Sequence, residues 1–243
     1  MFGRKKIAML VAEFLGTGIL TLVVLAVQRS TIGIPYFVAL AAGLTVAALT
    51  LVLANASGAH LNPAITIGAW SARKVKTLPA IAYLVAQLLG GWAAYGIYTY
   101  FVNNSFQAIG GHYTARLLIA EAVGGFVFAF AWAAIAAQRN ISAAWVGAAF
   151  TFGILVASIA SIGLINPALA LGTRAWAFWG SMGWGTYLLG PIIGGIVGFN
   201  LYDLVFAEGS LLRAPRATAT APSTTTSRAA AKPARKTTTR KRK

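Results

Sequence analysis

The chain has no cysteine, and across 243 residues it has only four acidic side chains and two histidines. Without thiols there are no disulfides and no thiolate metal sites. His60 and His112 stand alone and fall on opposite sides of the topology argued below, so no metal and no cofactor are expected. Nothing resembles an activated nucleophile, and enzymatic chemistry is not expected. Charged residues make up 10% of the sequence against 58% hydrophobic, and mean hydropathy is +0.73. A soluble domain of this length needs a larger charged surface. What charge there is has one sign: twenty Lys and Arg give a formal charge of +16. Such an excess is one footprint of nucleic-acid binding. Here, however, ten of the twenty basic residues lie from Arg213 onward, in a stretch of Ala, Thr, Ser, Pro, Lys and Arg with no interleaved aromatics. Nucleic acid is therefore not an expected partner. That composition cannot build a core, and 207–243 is expected to be a disordered basic tail, solvated or resting on anionic lipid.

Long apolar runs fill the rest. Six are long enough to cross a bilayer as helices: 7–28, 36–54, 79–101, 114–137, 142–160 and 184–206. The first follows a basic GRKK, as a signal peptide would. It runs on to Gln28 without a clear cleavage site and reads as a retained span. Two shorter pieces, 62–73 and 166–178, each begin Asn-Pro-Ala: Asn62, Pro63, Ala64 and Asn166, Pro167, Ala168. Asn caps a helix and Pro suits its first turn. Too short to span, these pieces predict half-membrane re-entrant helices, a backbone tolerated at membrane depth only inside protein or beside a wet cavity.

The triplets belong to a repeat. Gly68, Tyr83, Leu84, Gly90 and Gly91 recur 104 residues later as Gly172, Tyr187, Leu188, Gly194 and Gly195. Upstream, Ala12, Glu13 and Gly16 match Ala120, Glu121 and Gly124 at an offset of 108. Each half, about 7–101 and 114–206, carries three spans and one half-helix. An odd number of spans inverts the second half, and inverted repeats place their site where the broken segments meet. Arg4, Lys5, Lys6, Arg73, Lys74, Lys76, Arg139 and the ten tail residues fall on one side, 17 of the 20 basic residues. The positive-inside rule then puts 1–6 and the tail in the cytoplasm.

Two half-helix N-termini meeting at the midplane raise the potential there, which opposes cations and hydronium. The Asn62 and Asn166 amides offer uncharged N–H donors to a passing oxygen. A water that accepts both bonds turns its hydrogens outward and breaks a proton wire.

SGAHLNPAITIG and INPA closely resemble the two signatures of the aquaporin and glycerol-facilitator channels, the major intrinsic proteins, and the likeness runs over about 7–206. The resemblance implies an all-α membrane protein: an aquaporin-like bundle of six transmembrane helices plus two re-entrant half-helices. It also implies one pore per subunit, a homotetramer, and passage of water and small neutral solutes such as glycerol. The expected setting is a prokaryotic plasma membrane. By the same resemblance, Glu13 and Glu121 orient the re-entrant loops, and the backbone carbonyl of His60 faces the pore. A proton relay is the other use of an intramembrane acid. The family's pattern breaks after the second triplet, where Leu169 stands in place of an arginine. The other three filter positions fall at Ala42, Ile154 and Gly163, without the family's aromatics. Arg174 lies roughly 7.5 Å further along the helix and well round its axis, a poor substitute. The outer constriction is therefore expected to be wide, apolar and uncharged, unless Phe37, Phe150, Phe152 or Trp176 narrows it. A narrow apolar ring gates by dewetting. The competing reading is a non-conducting membrane scaffold with an adhesive tail.

Overall fold

The structure, a computed structural model, describes residues 3–30, 35–104, 112–138, 141–176 and 182–207. The tail from 208, Arg139 and the last two residues of the second expected half-helix lie outside the described residues. Among the described residues, eight α-helices run in order: α1 (Arg4–Arg29), α2 (Pro35–Ser57), α3 (Pro63–Ser71), α4 (Thr77–Val102), α5 (Ala115–Ala136), α6 (Ala143–Ala157), α7 (Pro167–Gly172) and α8 (Gly190–Phe206). A π-helical turn, Gly185–Leu189, leads into α8.

Five of the six expected spans are helices long and apolar enough to cross a membrane, with the π turn and α8 counted as one. The sixth, expected over 142–160, is shorter. Helix α6 has 15 residues, about 22 Å of rise, and ends in turns because the chain must fold back into the second re-entrant loop. The outward faces carry large apolar side chains in the open: Leu51 is 76% exposed, Val52 73%, Phe101 76% and Trp92 65%. A bundle in water would present polar groups at such positions; these face hydrocarbon. The protein is an integral membrane protein.

Packing follows the repeat. Helix α1 packs on α2 and α4 as α5 packs on α6 and α8, and α2 meets α6 where the halves join. The half-helices cross over: α3 packs on α8 of the other half, and α7 on α4. Two glycines make this possible. A Cβ on Gly91 would overlap the carbonyl oxygen of Ala168, and one on Gly195 would overlap that of Ala64. The alanine of each triplet thus lies against the bare backbone of the opposite half, a close approach of the kind small residues permit in membranes.

Both half-helices are shorter than expected from sequence, and the second is the shorter. Helix α3 ends nine residues in and α7 after six. In each, the chain turns back through an arginine in the left-handed region, Arg73 (φ 59°) and Arg174 (φ 59°). The amide just after that arginine closes the end, Lys74 N–H to Ala69 O (2.8 Å) and Ala175 N–H to Ala170 O (2.8 Å).

Candidate functional site

Each half-helix starts on its asparagine. Asn62 Oδ1 accepts from Ala64 N–H at 2.8 Å, and Asn166 Oδ1 accepts from Ala168 N–H at 3.0 Å and Leu169 N–H at 3.3 Å. The other end of each amide crosses to the opposite loop. Asn62 Nδ2 donates to Ile165 O at 3.0 Å, and Asn166 Nδ2 donates to Leu61 O at 2.9 Å. This reciprocal tie fixes the two helix starts against one another. An amide has two N–H groups, so each asparagine commits one to the tie and keeps a second. Both side chains are buried, Asn62 at 2% and Asn166 at 0% exposure.

The loops entering the triplets are strained. Gly58, Ala59, Leu61, Gly163 and Ile165 all have positive φ. For Ile165 (φ 44°) the branched Cβ makes this conformation an outlier, worth on the order of 1–3 kcal/mol. A buried carboxylate holds each loop in place. Glu13 accepts from His60 N–H (3.0 Å) and Leu61 N–H (2.7 Å). Glu121 accepts from Leu164 N–H (3.0 Å) and Ile165 N–H (2.6 Å), and from the Ser161 hydroxyl. Both acids are fully buried, so these bonds replace hydration that a carboxylate cannot lose without partners.

Sequence reasoning missed the polar group around Glu13. Gln87 Nε2 donates to Glu13 Oε2 (2.7 Å) and to Thr66 Oγ1 (2.9 Å), and His60 Nδ1 lies 3.1 Å from the same hydroxyl. The His60 ring stands edge-on to Tyr83 and Trp132. Tyr83 donates its hydroxyl to Ser57 O (2.8 Å), and Ser57 Oγ accepts from Ala59 N–H (3.0 Å). One signal for this network was legible: Gln87 is a lone amide in an apolar span.

The four expected filter positions all lie in the apolar interior. Ala42, Ile154 and Leu169 belong to one contiguous cluster, and Gly163 lies directly against Ile154. Ala42 and Ile154 expose no surface and Leu169 exposes 1%. No water-sized sphere reaches the first two, so no open space borders their side chains. The physical reason is close packing. Neighbouring side chains fill the space around these small and branched residues to interior density. Of the four aromatics considered, Phe150 is buried in the same cluster against Phe128, and Trp176 packs on its edge. Phe37 and Phe152 point outward, 42% and 59% exposed. Arg174 does not enter the ring. It is exposed, its guanidinium 5.7 Å from the centre of the Tyr95 ring.

Spans around two asparagine-capped half-helices that meet end to end make this an aquaporin-fold membrane protein. The model of the family described as Major intrinsic protein matches residues 4–202, and the chain belongs to that family, whose members are passive channels and not enzymes. It is 31% identical to Aquaporin Z of Photorhabdus laumondii over 82% of this chain and 97% of that one. It is 32% identical to Aquaporin PIP1-1 of Arabidopsis thaliana, over 84% and 79%. With Aquaporin AqpM of Methanothermobacter thermautotrophicus it shares 31% identity over 70% and 77%. In fold it is similar to the aquaglyceroporin from Plasmodium falciparum, with a TM-score of 0.63 over 84% of this chain and 98% of that one at 24% identity.

Proposed function

We propose that the protein passes water and small uncharged solutes such as glycerol across the membrane, and blocks cations at the midplane. The observation that carries this reading is the reciprocal tie of Asn62 to Ile165 O and Asn166 to Leu61 O. It sets two positive helix ends face to face and leaves each amide one N–H for a passing oxygen. In this reading Asn62, Pro63, Ala64, Asn166, Pro167 and Ala168 form the central barrier. Glu13 and Glu121 orient the loops, and the His60 carbonyl lines the path. The relatives that carry the name aquaporin support water as one solute.

Ala42, Ile154, Gly163 and Leu169 form the outer filter of the proposed pore, free of arginine and closed at rest by aliphatic packing. Transport then requires Ile154 and Leu169 to part, and an apolar ring of this kind conducts only while wetted. The subunit works as a homotetramer with both termini in the cytoplasm. The test is stopped-flow light scattering on vesicles holding the purified protein. Osmotic water or glycerol permeability several-fold above empty vesicles is the expected result. Permeabilities equal to empty vesicles for both solutes would remove the channel reading. They would favour the second one, a non-conducting scaffold, which the filled ring supports.

A further inference from the structure

Where α1 and α4 begin, the two helices part around a cavity of about 430 Å³, within the size range of small-ligand sites. Its wall is apolar, with Met9, Leu10 and Pro79 among the lining residues, and the buried ring of Tyr83 closes the inner side. Exposed Lys6 and Lys76 also line it, and no acidic residue does. The cavity opens at the level where two spans start, which is the boundary between headgroups and hydrocarbon. Two cations above an apolar wall at that depth complement a molecule that is anionic at one end and greasy at the other. The second half has no such pair: the positions matching Lys6 and Lys76 are Thr114 and Gly180.

We propose that this groove is a binding site for one anionic phospholipid, its phosphate between Lys6 and Lys76 and its acyl chain along Met9, Leu10 and Pro79. Both helices begin here, and the positive partial charge of their N-terminal ends adds to the lysines. Neither lysine belongs to the ten basic residues from Arg213 onward. It is also one side chain from the first re-entrant loop, since Tyr83 bonds to Ser57 O.

Native mass spectrometry of the full chain in detergent tests it, with phosphatidylglycerol and phosphatidylcholine of identical acyl chains as probes. The expected result is one phosphatidylglycerol bound at least about fivefold more tightly than phosphatidylcholine, the scale two interfacial lysines supply. Lys6→Gln with Lys76→Gln should abolish that preference. Ala82→Trp, which fills the groove and keeps both charges, should also abolish it. Lys241→Gln with Lys243→Gln, the same charge removed from the tail, should leave it intact. Equal binding of the two lipids by the parent chain, or a preference that survives the Lys6/Lys76 pair or Ala82→Trp, would overturn the site. So would a preference lost in the tail control. The readout is lipid occupancy, so the result stands apart from whether the chain conducts.

Discussion

In the first half Glu13 shares its burial with Gln87, Thr66 and His60; 104 residues beyond those three, the second half has Pro191, Ala170 and Leu164. The task is the same on both sides: to hold a loop with left-handed residues in a place without water. The parts that recur are the carboxylate with its two backbone donors, a serine (Ser57 or Ser161) that accepts from the amide two residues on, and a buried tyrosine (Tyr83 or Tyr187). The amide, hydroxyl and imidazole of the first half are additions. The proline that stands where the first half has Gln87 affects the backbone as well. Pro191 has no N–H and its ring crowds the carbonyl one turn back, which a regular α-helix cannot accommodate. The chain runs through the π turn Gly185–Leu189 directly before it. The Gln87, Thr66 and His60 group around the first loop thus has no counterpart at the matching positions of the second half, from which three of the four proposed filter residues, Ile154, Gly163 and Leu169, are drawn.

The comparison makes the carboxylates the shared minimum, and removing them should have the largest effect. Glu13→Ala and Glu121→Ala each strand two buried amides, and an unsatisfied buried donor costs about 1–3 kcal/mol, so roughly 2–6 kcal/mol is at stake in each. Each variant also takes away a side-chain partner, Gln87 from Glu13 or the Ser161 hydroxyl from Glu121, so the two losses should be alike. Thermal unfolding in detergent, followed by size-exclusion, reads both. A Glu13→Ala protein as stable as its parent would mean that the Gln87 group can replace the acid, and the two halves would not share a common device.

A second pair of variants asks whether dryness belongs to the ring or to the whole interior. Ile154 sits in the ring, and Ile65, which follows the first triplet as Leu169 follows the second, is equally buried. Truncating either to alanine should cost about 2–5 kcal/mol of stability. Only Ile154→Ala should raise osmotic water permeability, by several-fold, because it alone opens the closed constriction. Equal gains from both variants, or none from Ile154→Ala at matched protein content, would take the barrier away from the ring.

These contrasts were legible in the sequence to different degrees. Asn-Pro-Ala twice at one offset, with long apolar runs around it, carries the bundle and the half-helices, because capping and hydropathy are local properties. The match of Glu13 to Glu121 was legible too, but their hold on the loops was implied by the family resemblance, because each bonds to a loop distant in sequence. The complete burial of Ala42 and Ile154 was not legible. Ala42 and Gly163 indicate small side chains, but whether neighbours occupy the space they leave depends on packing among four segments distant in sequence. The half-helix ends were not legible either. Gly is the usual left-handed residue after a helix, and Arg73 and Arg174 give no such signal.

Those two arginines frame the smallest expected effect, and they address whether anything replaces the missing filter arginine. They occupy the same place after α3 and α7, both exposed and both at φ 59°. Glycine removes the left-handed strain but widens the unfolded ensemble, so Arg73→Gly should leave stability within about 1 kcal/mol of the parent. Arg174→Gly makes the same backbone exchange and also loses the Tyr95 face and hydroxyl. An exposed cation–π contact contributes about 0.5–1 kcal/mol, so Arg174→Gly should fall below Arg73→Gly by that margin. Water and glycerol permeabilities should stay within about twofold of the parent in both variants, since Arg174 is held against Tyr95 and not over Leu169, and a contact of this size shifts populations little. Parallel melting curves and vesicle assays on the two variants give the comparison directly. A several-fold change in solute passage confined to Arg174→Gly would show that this arginine acts on the ring, and that the second half is less apolar at its mouth than Ile154 and Leu169 make it.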